Sequence, residues 1–248
     1  MRREWRDATY AEYAKIPLEN CYVLNEKRLF GELGYGVEHL SDLSRCCVPF
    51  GGLSDIGIRA GETVIVAPAT GPFGGAAVEV ALAMGARVIA MGRNVEVLKR
   101  IQASQPGRVE MVQITGDMQG DLESLKKFGT IDAYFDISPP AAEGSTHFKS
   151  CVLALRHGGR VSLMGGIRGD LAIPHQAVMH RDLTLKGKWM YNRQQVLDLI
   201  KMIETGILKL DKGEGQRRVE KFALEEWDKA FTAAAENARM GAKSVIVP

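Results

Sequence analysis

Cysteine is scarce in these 248 residues: four, at positions 21, 46, 47 and 151, with no CxxC pair. That excludes a zinc-finger framework and a dithiol redox motif. A disulfide between the adjacent Cys46 and Cys47 would be strained, so reduced thiols in a cytosolic protein are expected. Histidine is nearly as rare, with five, and His175 and His180 are spaced so that they would not share one helix face. No metal site is expected from these residues. An excess of either charge is also missing. The 32 basic and 30 acidic residues leave a net +2, which argues against nucleic acid or an anionic membrane as the main partner. No apolar run reaches the length of a bilayer span. The opening MRREWRDATY has no apolar core of a signal peptide, so the expected location is cytoplasmic.

What the chain does have is concentrated between Thr63 and Asn94. Thr63 to Ala67 is a β-branched apolar run, suited to a parallel strand covered on both faces. A turn follows, Pro68-Ala69-Thr70-Gly71-Pro72-Phe73-Gly74-Gly75. Against the pattern G-x-G-x-x-G, Ala69 takes the first position while Gly71 and Gly74 take the second and third. The second glycine lets a pyrophosphate approach the backbone, and the third lets helix and strand pack tightly. Pro72 falls where a helix begins, with its φ already helical and no N–H to leave unpaired. The free N–H groups of that first turn would face phosphates. The helix, to Met84, carries one charge, Glu79, and Gly85 ends it. Arg87 to Met91 is a second strand, closing on Gly92, Arg93 and Asn94. An acid about twenty residues past the glycine turn would bind the ribose 2′-hydroxyl of NAD; Arg93 there would instead pair with the 2′-phosphate of NADP.

Strands expected near residues 63, 87, 109, 131, 160 and 183 alternate with helices, as a doubly wound parallel sheet of the α/β class requires. Ligands of such sheets gather at the carboxyl ends of the strands. That selects Thr70 to Gly75, Gly92 to Asn94, Asp136 to Ser138, and Gly165, Gly166 and Ile167 as candidate cofactor contacts. Helices are expected over Gln194–Thr205 and Leu224–Glu236, the latter with Trp227, Ala230 and Phe231 on one face and Trp227 in the core. Ser244–Val247 reads as a closing strand and Leu208–Arg218 as a surface loop.

The order of AGETVIVAPATGPFGGAAVEVALAMGARVIAMGR, HGGRVSLMGG, LTLKGKWM and ALEEWDKAF…GAKSVIVP resembles the medium-chain dehydrogenase/reductase superfamily, and within it the fungal alcohol-dehydrogenase-like branch. The resemblance runs from about Thr9, where TYAEYAKIP looks like a strand of that family. It implies a Rossmann domain over residues 51–192. Residues 1–50 would then be a remnant of a GroES-like catalytic domain, and residues 193–248 would return to it. Substrate would sit in the cleft between the two domains. It further implies hydride transfer near Ser138, Gly165 and Met190, and a homodimer paired through the strand near Leu183 to Trp189.

The chain departs from the family pattern in one respect that matters. Most of the barrel, with two catalytic zinc ligands of zinc-dependent members, would lie before the first residue here. Ser44 falls where the third ligand would be, with Cys46 and Cys47 out of register, so a zinc-independent enzyme is expected. Tyr10, Tyr13, Tyr35, His39 and Tyr191 are candidate proton donors, with none singled out; related zinc-free reductases take the proton from solvent or a hydroxyl. The expected function is NADP(H)-dependent oxidation or reduction of a small carbonyl, alcohol or enone. The alternative is a non-redox nucleotide-binding protein: a partner, a sensor, or a repurposed lyase or cyclase.

Overall fold

The computed structural model describes residue 9 and residues 11–210, 218–237 and 242–247. After a π-helical turn at Lys27–Glu32 come α1 (Val37–Leu40) and α2 (Asp42–Asp55). The alternating series then runs β1 (Thr63–Ala67), α3 (Pro72–Ala83), β2 (Arg87–Gly92), α4 (Val95–Ser104), β3 (Val109–Gln113), α5 (Met118–Lys126), β4 (Ala133–Asp136), α6 (His147–Ala154) and β5 (Arg160–Leu163). It continues through α7 (His175–His180), β6 (Thr184–Gly187) and α8 (Arg193–Glu204), and the chain closes with β7 (Arg218–Ala223), α9 (Trp227–Glu236) and β8 (Ala242–Val247).

Two compact units result, residues 43–208 and residues 1–42 with 209–248. The helix α8 and nearly all of α2 thus go with the large sheet. That sheet is wholly parallel, in the order β3-β2-β1-β4-β5-β6. It is the doubly wound α/β arrangement expected from the alternating strands and helices, with its switch point between β1 and β4. Every residue of β1 and β4 is buried, because helices cover both faces of the sheet. The core continues through Ile89, Met91, Leu125, Tyr134, Phe148, Cys151 and Val161. At the amino ends of the strands, Asp132 accepts the Thr63 N–H at 2.8 Å and the Arg156 Nε at 2.6 Å. Arg160 bonds Glu62 at 2.6 Å. Polar groups there satisfy one another, and the carboxyl ends are left for ligand chemistry.

The smaller unit pairs β7 with β8 in parallel, Arg218 opposite Ala242 through Ala223 opposite Val247. Lys243 reaches the Asp42 carboxylate at 2.8 Å and Lys221 reaches Glu38 at 2.8 Å. Three expectations are corrected here. Residue 9 and residues 11–17 form no strand, where the resemblance implied one. Trp227 is 58% exposed and not part of the core. It meets Phe231 edge-on instead, ring centres 6.2 Å apart. Leu208 and Leu210 are buried rather than in a surface loop; residues 211–217 of that expected loop lie outside the described residues. The strand β7 was not expected at all. Among the described residues no helix is long and apolar enough to cross a membrane.

Candidate functional site

The turn between β1 and α3 is built as the glycine pattern requires. Gly71 is the N-cap of α3 in extended conformation, Pro72 opens the helix, and Gly75 N–H bonds back to Gly71 O at 2.8 Å. Gly71 brings no side chain to cap the helix, so the N–H groups of Phe73 and Gly74 are left for a ligand. A Cβ on Gly71 would meet nothing within 4 Å, whereas one on Gly74 would run into the carbonyl of Pro68 and the backbone of Ala69. One glycine therefore keeps open space and the other close packing. Ala69 N–H bonds Met91 O at 2.7 Å, tying the turn to β2. Thr70 lies against Gly92, 2.7 Å from where a Cβ would be.

Beyond Gly92, Arg93 is exposed and makes no hydrogen bond or ion pair with a described residue. Asn94 is occupied otherwise: its side chain caps α4 by accepting the Val97 N–H at 3.1 Å. At the carboxyl end of β4, Asp136 is buried, with 3% exposure. Its Oδ1 accepts the Tyr134 hydroxyl at 3.0 Å, the Ser138 hydroxyl at 2.6 Å and, at 3.4 Å, the Ser138 N–H. Gly166 N–H bonds Ser138 O at 2.7 Å, which locks the end of β5 to that of β4. Gly165 and Gly166 are exposed and Ile167 partly so. The strand order thus brings together Thr70 to Gly75, Gly92, Arg93, Asp136, Ser138, Gly165 and Gly166. Met190 follows β6 at the sheet edge, with φ of 58° and its carbonyl 2.5 Å from where a Cβ on Gly51 of α2 would be.

Sequence reasoning passed over His147, which proves central to this cluster. It is 1% exposed, with Nε2 2.9 Å from the Ser138 hydroxyl and Nδ1 2.7 Å from that of Ser145. The proton order follows from valence. Ser138 has one hydroxyl hydrogen and gives it to the carboxylate, so His147 must donate from Nε2 and accept from Ser145 at Nδ1. The only signal in the sequence was the density of polar residues around Pro139-Pro140 in an otherwise apolar stretch. Burial holds the His147 pKa below its usual 6.5, against the opposing pull of Asp136 and Asp121 and with Arg93 adding to the depression. The neutral ring is the folded form. Its contribution to stability is complete above about pH 6.5 and is lost as pH falls through the depressed value. As pH falls from about 6.5 toward the depressed value, urea denaturation of the intact protein should show stability falling by up to about 1.4 kcal/mol per pH unit. His147→Gln should remove that share of the slope; an unchanged slope would show that the ring does not control it.

Of the candidate proton donors, Tyr13 is exposed and Tyr191 partly so. Tyr35 is buried, accepting the Leu210 N–H at 3.1 Å, and His39 accepts the Gly36 N–H at 2.6 Å. Tyr10 lies outside the described residues. Ser44, Cys46 and Cys47 all lie on α2. Burial pushes the Cys47 thiol up to about 11, the reverse of what a thiolate ligand needs. No three His, Cys, Asp or Glu converge on one point among the described residues. A catalytic zinc takes three protein ligands and an open position.

Comparison with known proteins agrees with this geometry. The profile of the family described as zinc-binding dehydrogenase matches residues 72–205, from the first turn of α3 to the end of α8. An L-threonine 3-dehydrogenase of Anaeromyxobacter sp. (strain Fw109-5) is 27% identical over 201 residues, 80% of this chain and 53% of that one. Among solved structures, the 2R,3R-butanediol dehydrogenase of Bacillus subtilis superposes with a TM-score of 0.72 at 13% identity, over 92% of this chain and 60% of that one. The quinone oxidoreductase of Thermus thermophilus, solved also in complex with NADPH, gives 0.59 at 23% identity, covering 84% and 65%. The chain therefore spans little more than half the length of that curated relative. At these identities the two structures speak for the fold alone. The family match takes in more than half of the chain, including the helix that starts at the glycine turn and the strands β2, β4 and β5: this protein belongs to the zinc-binding dehydrogenase family, within the medium-chain dehydrogenases/reductases.

Proposed function

We propose that this protein is an NADP(H)-dependent, zinc-independent oxidoreductase acting on a small carbonyl, alcohol or enone. One observation carries the reading. Arg93 follows β2 where an acid would read the 2′-hydroxyl of NAD, and it stands exposed with no bonded partner among the described residues. A guanidinium in that position suits a 2′-phosphate, which it can hold through a charge-assisted fork. Thr70 to Gly75 would hold the pyrophosphate, Gly92 and Asn94 would flank the adenosine ribose, and Asp136, Ser138, Gly165, Gly166, Ile167 and Met190 would line the nicotinamide side. A bound nicotinamide supplies or takes up the hydride. The residues of this chain position it and exclude water, and these effects can make up much of such a rate enhancement.

In this reading the chain is a member of the fungal alcohol-dehydrogenase-like branch and acts in the cytoplasm. The smaller unit, residues 1–42 with 209–248, belongs in this reading to the catalytic domain. It also works as a homodimer, supported by β6 as the open edge of the sheet and by Trp189, 87% exposed just beyond it. The test is NADPH consumption by chelator-treated protein across a panel of aldehydes, ketones and enones. Turnover that added zinc leaves unchanged is expected. NADPH binding with no turnover on any of them would favour a non-redox nucleotide-binding role, and turnover only with zinc would overturn zinc independence.

A further inference from the structure

Resting on the nucleotide-binding reading above, we propose that Asp136 is a ligand-binding residue whose Oδ2 accepts a hydrogen bond from a hydroxyl of the nicotinamide-side ribose. The two oxygens of this buried carboxylate are treated very differently by the fold. Oδ1 takes the Tyr134 hydroxyl, the Ser138 hydroxyl and the Ser138 N–H. Oδ2 takes no donor from any described residue. The relay behind Ser138 enforces this asymmetry: Ser145 donates to His147 and His147 to Ser138, so the Ser138 hydrogen can point only at Oδ1.

The free oxygen faces an opening. The place of a Cβ on Gly165 is 2.5 Å from Oδ2 and 3.0 Å from Ser138 N and O, and Gly165 itself is exposed. Any side chain at residue 165 would shut Oδ2 off; glycine leaves a narrow way in. Asp136 as a whole is 97% buried, and a donor arriving with the ligand at its remaining oxygen would gain a charge-assisted hydrogen bond.

The chemistry of the donor is restricted as well. A metal ion would need further ligands, and no such group exists among the described residues. A protruding hydroxyl fits, and the carboxyl ends of β4 and β5 flank the crevice where a ribose would be held.

Calorimetric titration with NADPH and with its 2′-deoxy and 3′-deoxy analogues on the nicotinamide-side ribose tests this on the wild-type protein. One analogue should bind roughly tenfold to a hundredfold more weakly than NADPH, as the loss of a hydrogen bond to a charged group implies. In Asp136→Asn, NADPH should weaken to about the level of that analogue, and the difference between the two should vanish. Should that variant fail to fold, Gly165→Ala keeps the carboxylate itself but crowds Oδ2, and it should erase the same difference. Equal binding of both analogues to wild-type protein overturns the proposal, as does a difference that persists in the variants. Failure of wild-type protein to bind NADPH at all would instead overturn the nucleotide-binding reading.

Discussion

Gly74→Ala should cost the protein about 3 kcal/mol or more, while Gly71→Ala should leave its stability close to wild type and abolish tight NADPH binding. The two glycines belong to one turn and differ in what surrounds them. The methyl added at residue 74 would overlap the Pro68 carbonyl and lie 2.9 Å from Ala69 Cα and 3.0 Å from Ala69 C. All three are backbone atoms at the end of the fully buried β1, so no rotamer change relieves them. Either α3 lifts off the sheet or the strand end bends, and both break core packing. Overpacking ordinarily costs about 1–3 kcal/mol; a collision with fixed backbone belongs at or above the top of that range. Set against a total stability of about 5–15 kcal/mol, that should show as a large fall in the urea midpoint. At Gly71 a Cβ meets nothing within 4 Å and the backbone is extended, not left-handed. The added methyl would stand in the space that phosphate oxygens need, blocking their approach to the free N–H groups of α3. Paired urea denaturation and NADPH titration separate the two effects. A stable Gly74→Ala protein, or a Gly71→Ala protein with wild-type affinity, would contradict the assignment of the turn.

That pair of outcomes also marks where the sequence was legible. Between Thr63 and Asn94 every local signal pointed the same way. The β-branched run, Gly71 and Gly74 at fixed spacing, Pro72 at a helix start and an apolar helix ended by Gly85 admit few alternatives. The same consistency carried the strands through β6, since each is short and followed by a helix. Periodicity failed where it fixes a face without saying what covers it. Trp227, Ala230 and Phe231 do share a side of α9, but only Ala230 is buried. The strand β7, RVEKFA, breaks the alternation of charged and apolar residues at Glu220-Lys221, and its partner β8 comes after an intervening helix. His147 was invisible for another reason. Its role depends on Asp136, Ser138 and Ser145 converging around the turn after β4, and no spacing rule encodes that.

Arg93→Ala should weaken NADPH binding by about a hundredfold and leave NADH binding within about threefold of wild type. The side chain makes no bond to the rest of the described fold, so its removal leaves no buried group unmatched and the protein should stay folded. What it removes is the fork for a 2′-phosphate. A hydrogen bond to a charged group contributes about 1.5–3 kcal/mol, and the two of a bidentate pair more than one, which puts a hundredfold loss (about 2.7 kcal/mol) well within reach. NADH lacks that phosphate and should hardly register the change. Arg93→Asp goes further, since it repels the phosphate and offers a carboxylate to a ribose 2′-hydroxyl; preference should then pass from NADPH to NADH. Salt gives an independent check: NADPH affinity should fall with ionic strength more steeply in the wild type than in Arg93→Ala, because an exposed ion pair is screened. Arg93 also adds to the depression of the His147 pKa, so its removal should raise the pH at which the buried relay takes up a proton. Calorimetry with both nucleotides at two salt concentrations decides the matter. Equal losses for NADPH and NADH would mean that Arg93 supports the turn and does not read the phosphate, and the NADP assignment would fall.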